Sequence, residues 1–398
     1  MGEPAHHGAT ATRRSITVIQ SAHVWLPRTE PWLYDQVRLL PGNIKSHVVC
    51  ENTEFLDQFP WEPLHVARNL PWWRYTLDRG ARKMKLRPYL RFQVTTARKS
   101  GARLIHSHFG NRGWEDVGVA RSAGLKHIVT FYGHDVTRLP TVDPRWRSRY
   151  RTLFRHVNCV LCEGDHMLAA VVKLGCPPEK LRVHHLGVSV DTISFSPASW
   201  EAGRPLRFLI AATFVEKKGI PYAVEALGRL QHDLPIELTI IGDTNGLPES
   251  DAEKNKILKT LELHGLLSKT RLLGFRTRDE LFEEARTHHV FLAPSVTAAD
   301  GDLEGGAPVS IIDMSAAGVL VLSTRHCDIP GIVKHGETGL LADERDVEGL
   351  LARMRWLIDH AEDRPRMLSA ARTHVEKHFN ANVQAEQLAC VYEEVTNP

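Results

Sequence analysis

The sequence predicts an α/β protein built from two parallel-sheet domains, and three observations carry that reading. Short apolar runs alternate with helical patterns along the chain, the signature of strand–helix–strand units. At 398 residues, 42% hydrophobic and 24% charged, the chain is too long for one core and suits two domains of about 200 residues. A stretch at residues 197–205, holding Pro197, Ser199, Gly203 and Pro205, separates two such alternations and reads as the linker.

In the first half, residues 15–20 (S-I-T-V-I-Q) read as a buried strand, followed by a helix over 32–40 that Thr29 and Glu30 are placed to cap. Residues 104–108 (L-I-H-S-H) are a short strand before Phe109-Gly110 and a helix over 115–123. With His106 and His108 flanking Ser107 on alternate faces, at most one is expected to line a cleft. Residues 128–131 form the next strand, ending in Tyr132-Gly133-His134-Asp135, where Asp135 is expected to orient the loop. A strand at 157–162, a helix over 165–174 closed by Gly175, and a strand at 181–185 complete the half. Cys159 and Cys162 have the C-x-x-C spacing but lie in an apolar run without a second pair, so a buried strand is expected rather than zinc or redox chemistry. The six cysteines form no disulfide framework.

The second half repeats the alternation. Strands are expected at 206–211, 236–241, 270–273, 290–294 and 319–323, and helices over 222–230, 255–264, 279–285, 309–317, 347–357 and 365–378, with an amphipathic last segment at 383–395. Domain bounds of 1–200, 201–378 and 379–398 follow.

Composition excludes several classes. No apolar run approaches the roughly 18 residues of a membrane span, and the polar start, with His6, His7, Arg13 and Arg14, has no signal-peptide core behind it, so a cytoplasmic protein is expected. The net charge of +3 hides an asymmetry: residues 1–200 hold 28 Lys and Arg against 16 Asp and Glu, and the remainder 22 against 31. The densest basic run, residues 74–99, contains Arg74, Arg79, Arg82, Lys83, Lys85, Arg87, Arg91, Arg98 and Lys99. It is either a solvated helix face or an attractor for anionic headgroups or a diphosphate-linked acceptor. No recognition motif accompanies the charge, so nucleic acid is not the expected partner.

The stretch at 300–318 is the chemical centre of the sequence. It brings Asp302, Glu304, Gly305, Gly306, Ala307 and Pro308 together between a strand's carboxyl end and a helix that begins at Val309. Glycines let the backbone approach a ligand, and the free N–H groups at a helix start attract phosphate. Pro308 suits the first helical turn, where its missing N–H costs nothing. Open α/β sheets bind ligands at such junctions. The competing reading is that Asp302 and Glu304 solubilise a loop and that Asp313 caps or forms a salt bridge.

This stretch resembles the E-x7-E region of the retaining glycosyltransferases of family 4, in particular the branch that makes exopolysaccharides of the colanic acid type. The likeness extends from about Ile16 to the C-terminus. The resemblance implies the GT-B fold, two Rossmann-like domains with a cleft between them, an acceptor domain first and a nucleotide-sugar donor domain second, with the last helix crossing back onto the first. It assigns Glu304, Tyr132 and His134 to the donor sugar. Lys218, Thr213, Gly305, Gly306, Ala307, Pro308, Val309 and Asp313 are assigned to the rest of the donor, and Thr29 and Glu30 to a loop facing the acceptor.

Three positions depart from the family pattern. Phe214-Val215-Glu216-Lys217-Lys218-Gly219 resembles an R-x-x-x-x-K-G loop in which Lys218 matches the Lys, whereas Thr213 stands where an Arg is usual. Arg325 or His326 could supply the missing charge. Tyr132 replaces a His, and Asp313 replaces the second Glu one residue further on. The implied reaction is sugar transfer from an activated nucleotide sugar to an acceptor hydroxyl with the anomeric configuration retained. It implies no separate base, no metal and no cofactor beyond the donor substrate. The D-G-D-L-E run as a divalent-cation site is a minor alternative. The acceptor would be a carbohydrate or a lipid-linked glycan, with peripheral contact at the inner face of the membrane through residues 74–99. Two other readings stay open: an epimerase on the same architecture, and a non-catalytic nucleotide-sugar binder.

Overall fold

The computed structural model describes residues 14–27, 31–84, 86–87, 89–201, 203–306 and 308–397. Thr29, Glu30, Lys85 and Ala307, named above, lie outside the described residues, as do His6, His7 and Arg13. The first half contains strands β1 (Ile16–Ser21), β2 (Val24–Trp25), β3 (Ile44–Cys50), β4 (Asn52–Thr53), β5 (Leu64–Val66), β6 (Leu104–His108), β7 (Lys126–Phe131), β8 (Cys159–Cys162) and β9 (Leu181–Val183). Seven of them form a parallel sheet in the order β5-β3-β1-β6-β7-β8-β9, while β2 pairs with β4 outside it. The second half contributes β10 (Leu206–Ala211), β11 (Ile236–Ile241), β12 (Thr270–Gly274), β13 (Val290–Ala293), β14 (Leu320–Thr324) and β15 (Leu340–Ala342), all parallel in the order β12-β11-β10-β13-β14-β15.

Both sheets are doubly wound. Strand order reverses between β1 and β6 in the first and between β10 and β13 in the second, and these switch points open crevices at the strands' carboxyl ends. The strands are buried on both faces, as β6 (all five residues) and β14 show, so they read as apolar runs rather than alternating ones.

The boundaries agree closely where the apolar pattern is continuous: β10, β11 and the helix Val309–Ala317 match the expected spans. Elsewhere they shift. The helix expected over 115–123 spans Gly110–Ala123, because Phe109 at φ 74° turns the chain directly out of β6 without a polar cap. Pro308 stands just before the first turn of its helix, which opens at Val309. Strands β3, β5 and β15 and the helices Trp72–Lys83, Arg91–Lys99 and Arg145–His156 are additions to the elements assigned from sequence. In β3 the polar Lys45, Ser46 and His47 interrupt the apolar pattern, and in Arg145–His156 only Tyr150, Leu153 and Phe154 are buried on a strongly basic helix. Cys159 and Cys162 lie in buried β8, where burial pushes both thiols up, Cys159 to about 11.

The chain passes between the two sheets twice, and the two crossings lie side by side. The N–H of Val188 donates to the carbonyl of Phe379 (2.8 Å), and the N–H of Ala381 donates to the carbonyl of Val188 (2.9 Å). The returning helix Ala381–Thr396 then packs Leu388, Ala389 and Tyr392 against Ile16, Val18, Leu104 and Leu161 of the first sheet. Its Tyr392 hydroxyl meets His106 Nδ1 at 2.7 Å and accepts from Gln20 Nε2 at 3.2 Å.

Candidate active site

Lys218 and Glu304 are delivered by the carboxyl ends of the two strands at the second sheet's switch point. Lys218 ends a short 3-10 turn, Glu216–Lys218, after β10; the following Gly219 (φ 61°) lies so close to the Pro294 carbonyl that a Cβ would collide. Glu304 lies in the loop after β13. Its side chain is 6% exposed and accepts from Lys218 Nζ and Ser295 Oγ, each at 2.8 Å. Burial is the largest influence on this carboxyl and pushes its pKa up, but Lys218, Lys217 and the hydrogen bonds from Lys218 and Ser295 outweigh it and hold Glu304 below the ordinary value. Lys217 donates to the Leu303 carbonyl (3.0 Å) and pairs with Asp302 (3.1 Å), while Asp300 pairs with Arg138 (2.8 Å), so each acid of the D-G-D-L-E run faces a cation.

The turn that follows has no side chain at Gly305 and Gly306, and both are buried against the first domain. Gly305 has φ 85°, Pro308 precedes the helix Val309–Ala317, and no side chain caps that helix. Across the cleft, Gly133 (φ 118°) approaches so closely that a Cβ there would strike the Glu304 carbonyl and the Gly305 Cα. The Y-G-H-D loop of the first domain and the E-G-G turn of the second therefore meet backbone to backbone. Asp135, fully buried, accepts the N–H groups of Gly110 (2.6 Å), Tyr132 (3.0 Å) and Gly133 (3.1 Å), which fixes this loop.

Tyr132 and His134 differ sharply. The Tyr132 ring packs on Trp32 and Phe109, and its hydroxyl meets His108 Nδ1 at 2.8 Å, while His134 is exposed. His106 and His108 do not alternate faces. Two positions apart on a strand they share one, with ring centroids 4.4 Å apart, and both are fully buried, His106 bonded to Thr130 and to Tyr392 of the returning helix and His108 to Tyr132 and Gln20. Burial pushes both histidines down, His108 to about 3.

Asp313 sits on the helix after the glycine turn and is 7% exposed. Burial raises its pKa, partly offset by Arg278, which contacts it at 2.7 Å. The pair lies at a cavity of about 410 Å³ that also includes Trp32, Asp35, Gly187 and Ile241, and so draws on both domains. Thr213 is half-buried in the loop after β10, where its carbonyl accepts the Val215 N–H at 2.9 Å. His326 is buried with Nδ1 on Glu344 (2.7 Å) and Nε2 receiving the Glu304 N–H (3.2 Å), so it buttresses the Glu304 backbone. Arg325 turns to the Leu341 carbonyl and Asp343.

Sequence reasoning missed a reciprocal contact across the cleft. Asp328 accepts the N–H groups of His166 (2.8 Å) and Met167 (3.2 Å) at the start of the first-domain helix Asp165–Lys173, and Gly164 leaves room for its carboxylate. In return the Glu163 carboxyl lies against Gly306, where a Cβ would not fit. Burial and the neighbouring Asp135, Asp328 and Glu304 push Glu163 well above the usual carboxyl range. The signal was an acid-glycine pair, Glu163-Gly164, at the carboxyl end of β8.

Comparison with known proteins follows this geometry. Residues 29–192 match the model of Glycosyltransferase Family 4 and residues 194–374 that of Glycosyl transferases group 1. The amylovoran biosynthesis glycosyltransferase AmsK of Erwinia amylovora is 33% identical over 270 residues, 67% of this chain and 64% of the relative, so the match spans just under two thirds of that protein. WcaL of Escherichia coli (strain K12), named for colanic acid biosynthesis, is 31% identical over 292 residues, 71% of this chain and 68% of the relative. Among solved structures, Anabaena HepE in complex with UDP-glucose superposes with a TM-score of 0.75 at 15% identity, covering 95% of this chain and all of that one. Sucrose-phosphate synthase from Thermosynechococcus elongatus gives 0.74 at 15%, covering 96% and 99%.

Proposed function

Because the chain belongs to the family 4 glycosyltransferases and has their two-domain GT-B fold, we propose that it transfers a sugar from a nucleotide-sugar donor to an acceptor hydroxyl with retention at the anomeric carbon, in the making of a polysaccharide or glycoconjugate. The observation that carries this reading is the Lys218–Glu304 pair beside an uncapped helix start, facing the Gly133 loop across the cleft. Lys218 and the N–H groups around Gly306 and Val309 suit a diphosphate, and they would stabilise the charge that builds on it as the sugar departs. Glu304 suits the sugar hydroxyls, and Asp313, at the neighbouring cavity, the ribose. Tyr132 acts through the packing of its ring, since its hydroxyl is engaged by His108; His134, exposed on the same loop, is free to reach the sugar.

The leaving phosphate takes the acceptor's proton, and neither a separate base nor a metal is needed. Thr213 carries no charge where the family pattern has an Arg, which leaves Lys217 and Lys218 as the cations of this loop. The same reading puts the protein in the cytoplasm. Among the described residues no helix is long and apolar enough to cross a membrane. Peripheral contact through residues 74–99 is favoured by a feature invisible in the charge count: Trp72, Leu77, Met84 and Leu86 are exposed beside the basic residues.

The test is a panel of UDP-, GDP- and ADP-sugars incubated with the protein in EDTA, read by thermal stabilisation and slow nucleotide release. One donor giving both is the expected result. Stabilisation without release, even with membrane lipid extract added, would leave a binder without transfer.

A further inference from the structure

At the carboxyl end of the first sheet, the same edge from which Gly133 meets Gly305, a second cavity of about 790 Å³ opens. His23 lies just after β1, Glu51 directly after β3, and Glu115 on the helix that follows β6, and their ligand atoms all lie within 4.8 Å of one another. Beneath them is Arg112, 1% exposed. Its Nε donates to Ser21 Oγ (2.9 Å), while its Nη1 has no hydrogen-bond partner and points at Glu115 Oε2 (3.5 Å) and Glu51 Oε1 (3.8 Å). Glu115 Oε2 is likewise buried without a hydrogen-bond partner.

Arg112 thus pairs with Glu115 and Glu51 from beneath the cavity and helps to keep their carboxylates charged acceptors at its floor. A metal ion is a poor candidate, because the Arg112 guanidinium already supplies positive charge to two of the three would-be ligands. Hydroxyl groups fit: His23, Glu51 and Glu115 all line the cavity, and a sugar ring there can donate to the two carboxylates and bond to the imidazole. The facing wall is the helix Trp72–Lys83. Its Arg82 pairs with Glu115 (3.0 Å), but among the described residues Arg79 and Lys83 have no carboxylate within ion-pair distance.

We propose that this cavity is the acceptor subsite and that it takes a sugar bearing an acidic group, a carboxylate or a phosphate, with the hydroxyls on Glu51, Glu115 and His23 and the anion on Arg79 and Lys83. The proposal rests on the transferase reading for the word acceptor, and not for the binding itself.

Calorimetric titration with methyl β-D-glucuronide, methyl β-D-glucoside and farnesyl phosphate, in EDTA, tests it. The glucuronide is expected to bind about tenfold more tightly than the glucoside, a difference two exposed cations acting together can supply. R79A/K83A should abolish that difference, and Glu115→Gln should weaken both glycosides, with unfolding temperature confirming that each variant folds. Binding of farnesyl phosphate alone, lost in the double variant, keeps the anion site and assigns its charge to a lipid phosphate. Equal affinity for the two glycosides with no farnesyl phosphate binding, or a preference that survives R79A/K83A, overturns the proposal. UDP titrated into the same samples separates the readings: UDP affinity unchanged in R79A/K83A keeps the donor site independent, whereas glucuronide binding without any nucleotide binding would remove the transferase reading and leave the cavity standing.

Discussion

Lys218 and Glu304 form a 2.8 Å ion pair in which the carboxylate is 6% exposed, and against its burial the ammonium helps to hold the carboxyl below its ordinary value. On the proposed reading, a diphosphate arriving at Lys218 would compete for the same ammonium and free Glu304 to turn to the sugar. Lys218→Ala is therefore expected to raise the donor KM about tenfold or more, and Glu304→Ala to lower kcat by about 10²–10³ with a smaller change in KM, as for other groups that act on developing charge. Steady-state kinetics on both variants decide it; wild-type activity in both would remove the pair from the site.

Asp328 caps a helix of the other domain through two backbone N–H groups. Asp328→Ala removes both acceptors and should widen the cleft. Expected are a larger radius of gyration in solution scattering and a higher donor KM, with kcat at saturation reduced less. An unchanged radius together with unchanged kinetics would mean that the contact does not hold the domains together.

Glu163 carries a pH signature. Its carboxyl is pushed above the ordinary value, chiefly by burial, so the folded state holds the proton more tightly than the unfolded chain. Its contribution to stability is present in full below the unfolded value near 4.5 and is lost as pH rises through the higher folded value. Glu163→Gln should therefore gain unfolding temperature over wild type at pH 8 and show less gain at pH 5. A gain of equal size at both pH values would refute an ionising Glu163.

Histidines in the first domain act in the opposite direction. Burial pushes His184 down to about 4 and His127 to about 4, so the unfolded chain binds more protons as pH falls below 6.5. Each such group costs about 1.4 kcal/mol of stability per pH unit across that window. The urea midpoint should fall between pH 7 and pH 5, and His184→Gln should flatten the fall measurably; a parallel pH dependence would place His184 outside this linkage.

On the surface, Trp72→Ala combined with Leu77→Ala is expected to reduce co-sedimentation with vesicles containing anionic lipid while leaving the unfolding temperature nearly unchanged, since both side chains are exposed. Vesicle binding at the wild-type level would argue that the patch faces another partner.

What the sequence made legible was whatever repeats locally. The apolar runs of β10, β11, β13 and β14 and the glycine turn at Gly305-Gly306 announce themselves within a few residues, and Lys218 and Glu304 follow from their places at strand ends. Spacing along the chain cannot show which side chains meet across it. Arg278 on Asp313, Asp328 on the helix after Gly164, and Glu163 on Gly306 each join residues far apart in sequence, and each involves a polar group whose local context is ordinary. The resemblance assigns Tyr132 to the donor sugar, and the fold adds what no local pattern shows, that its hydroxyl meets His108 on the neighbouring strand.

The paired crossings at Val188 and Phe379–Ala381 have a mechanical consequence. One tether would let the two bodies swivel and twist independently. Two tethers bonded flank to flank resist torsion and leave bending about the line through them as the soft motion. A cleft hinged in this way would open as a page turns, along one coordinate that keeps Gly133 and Gly305 in register.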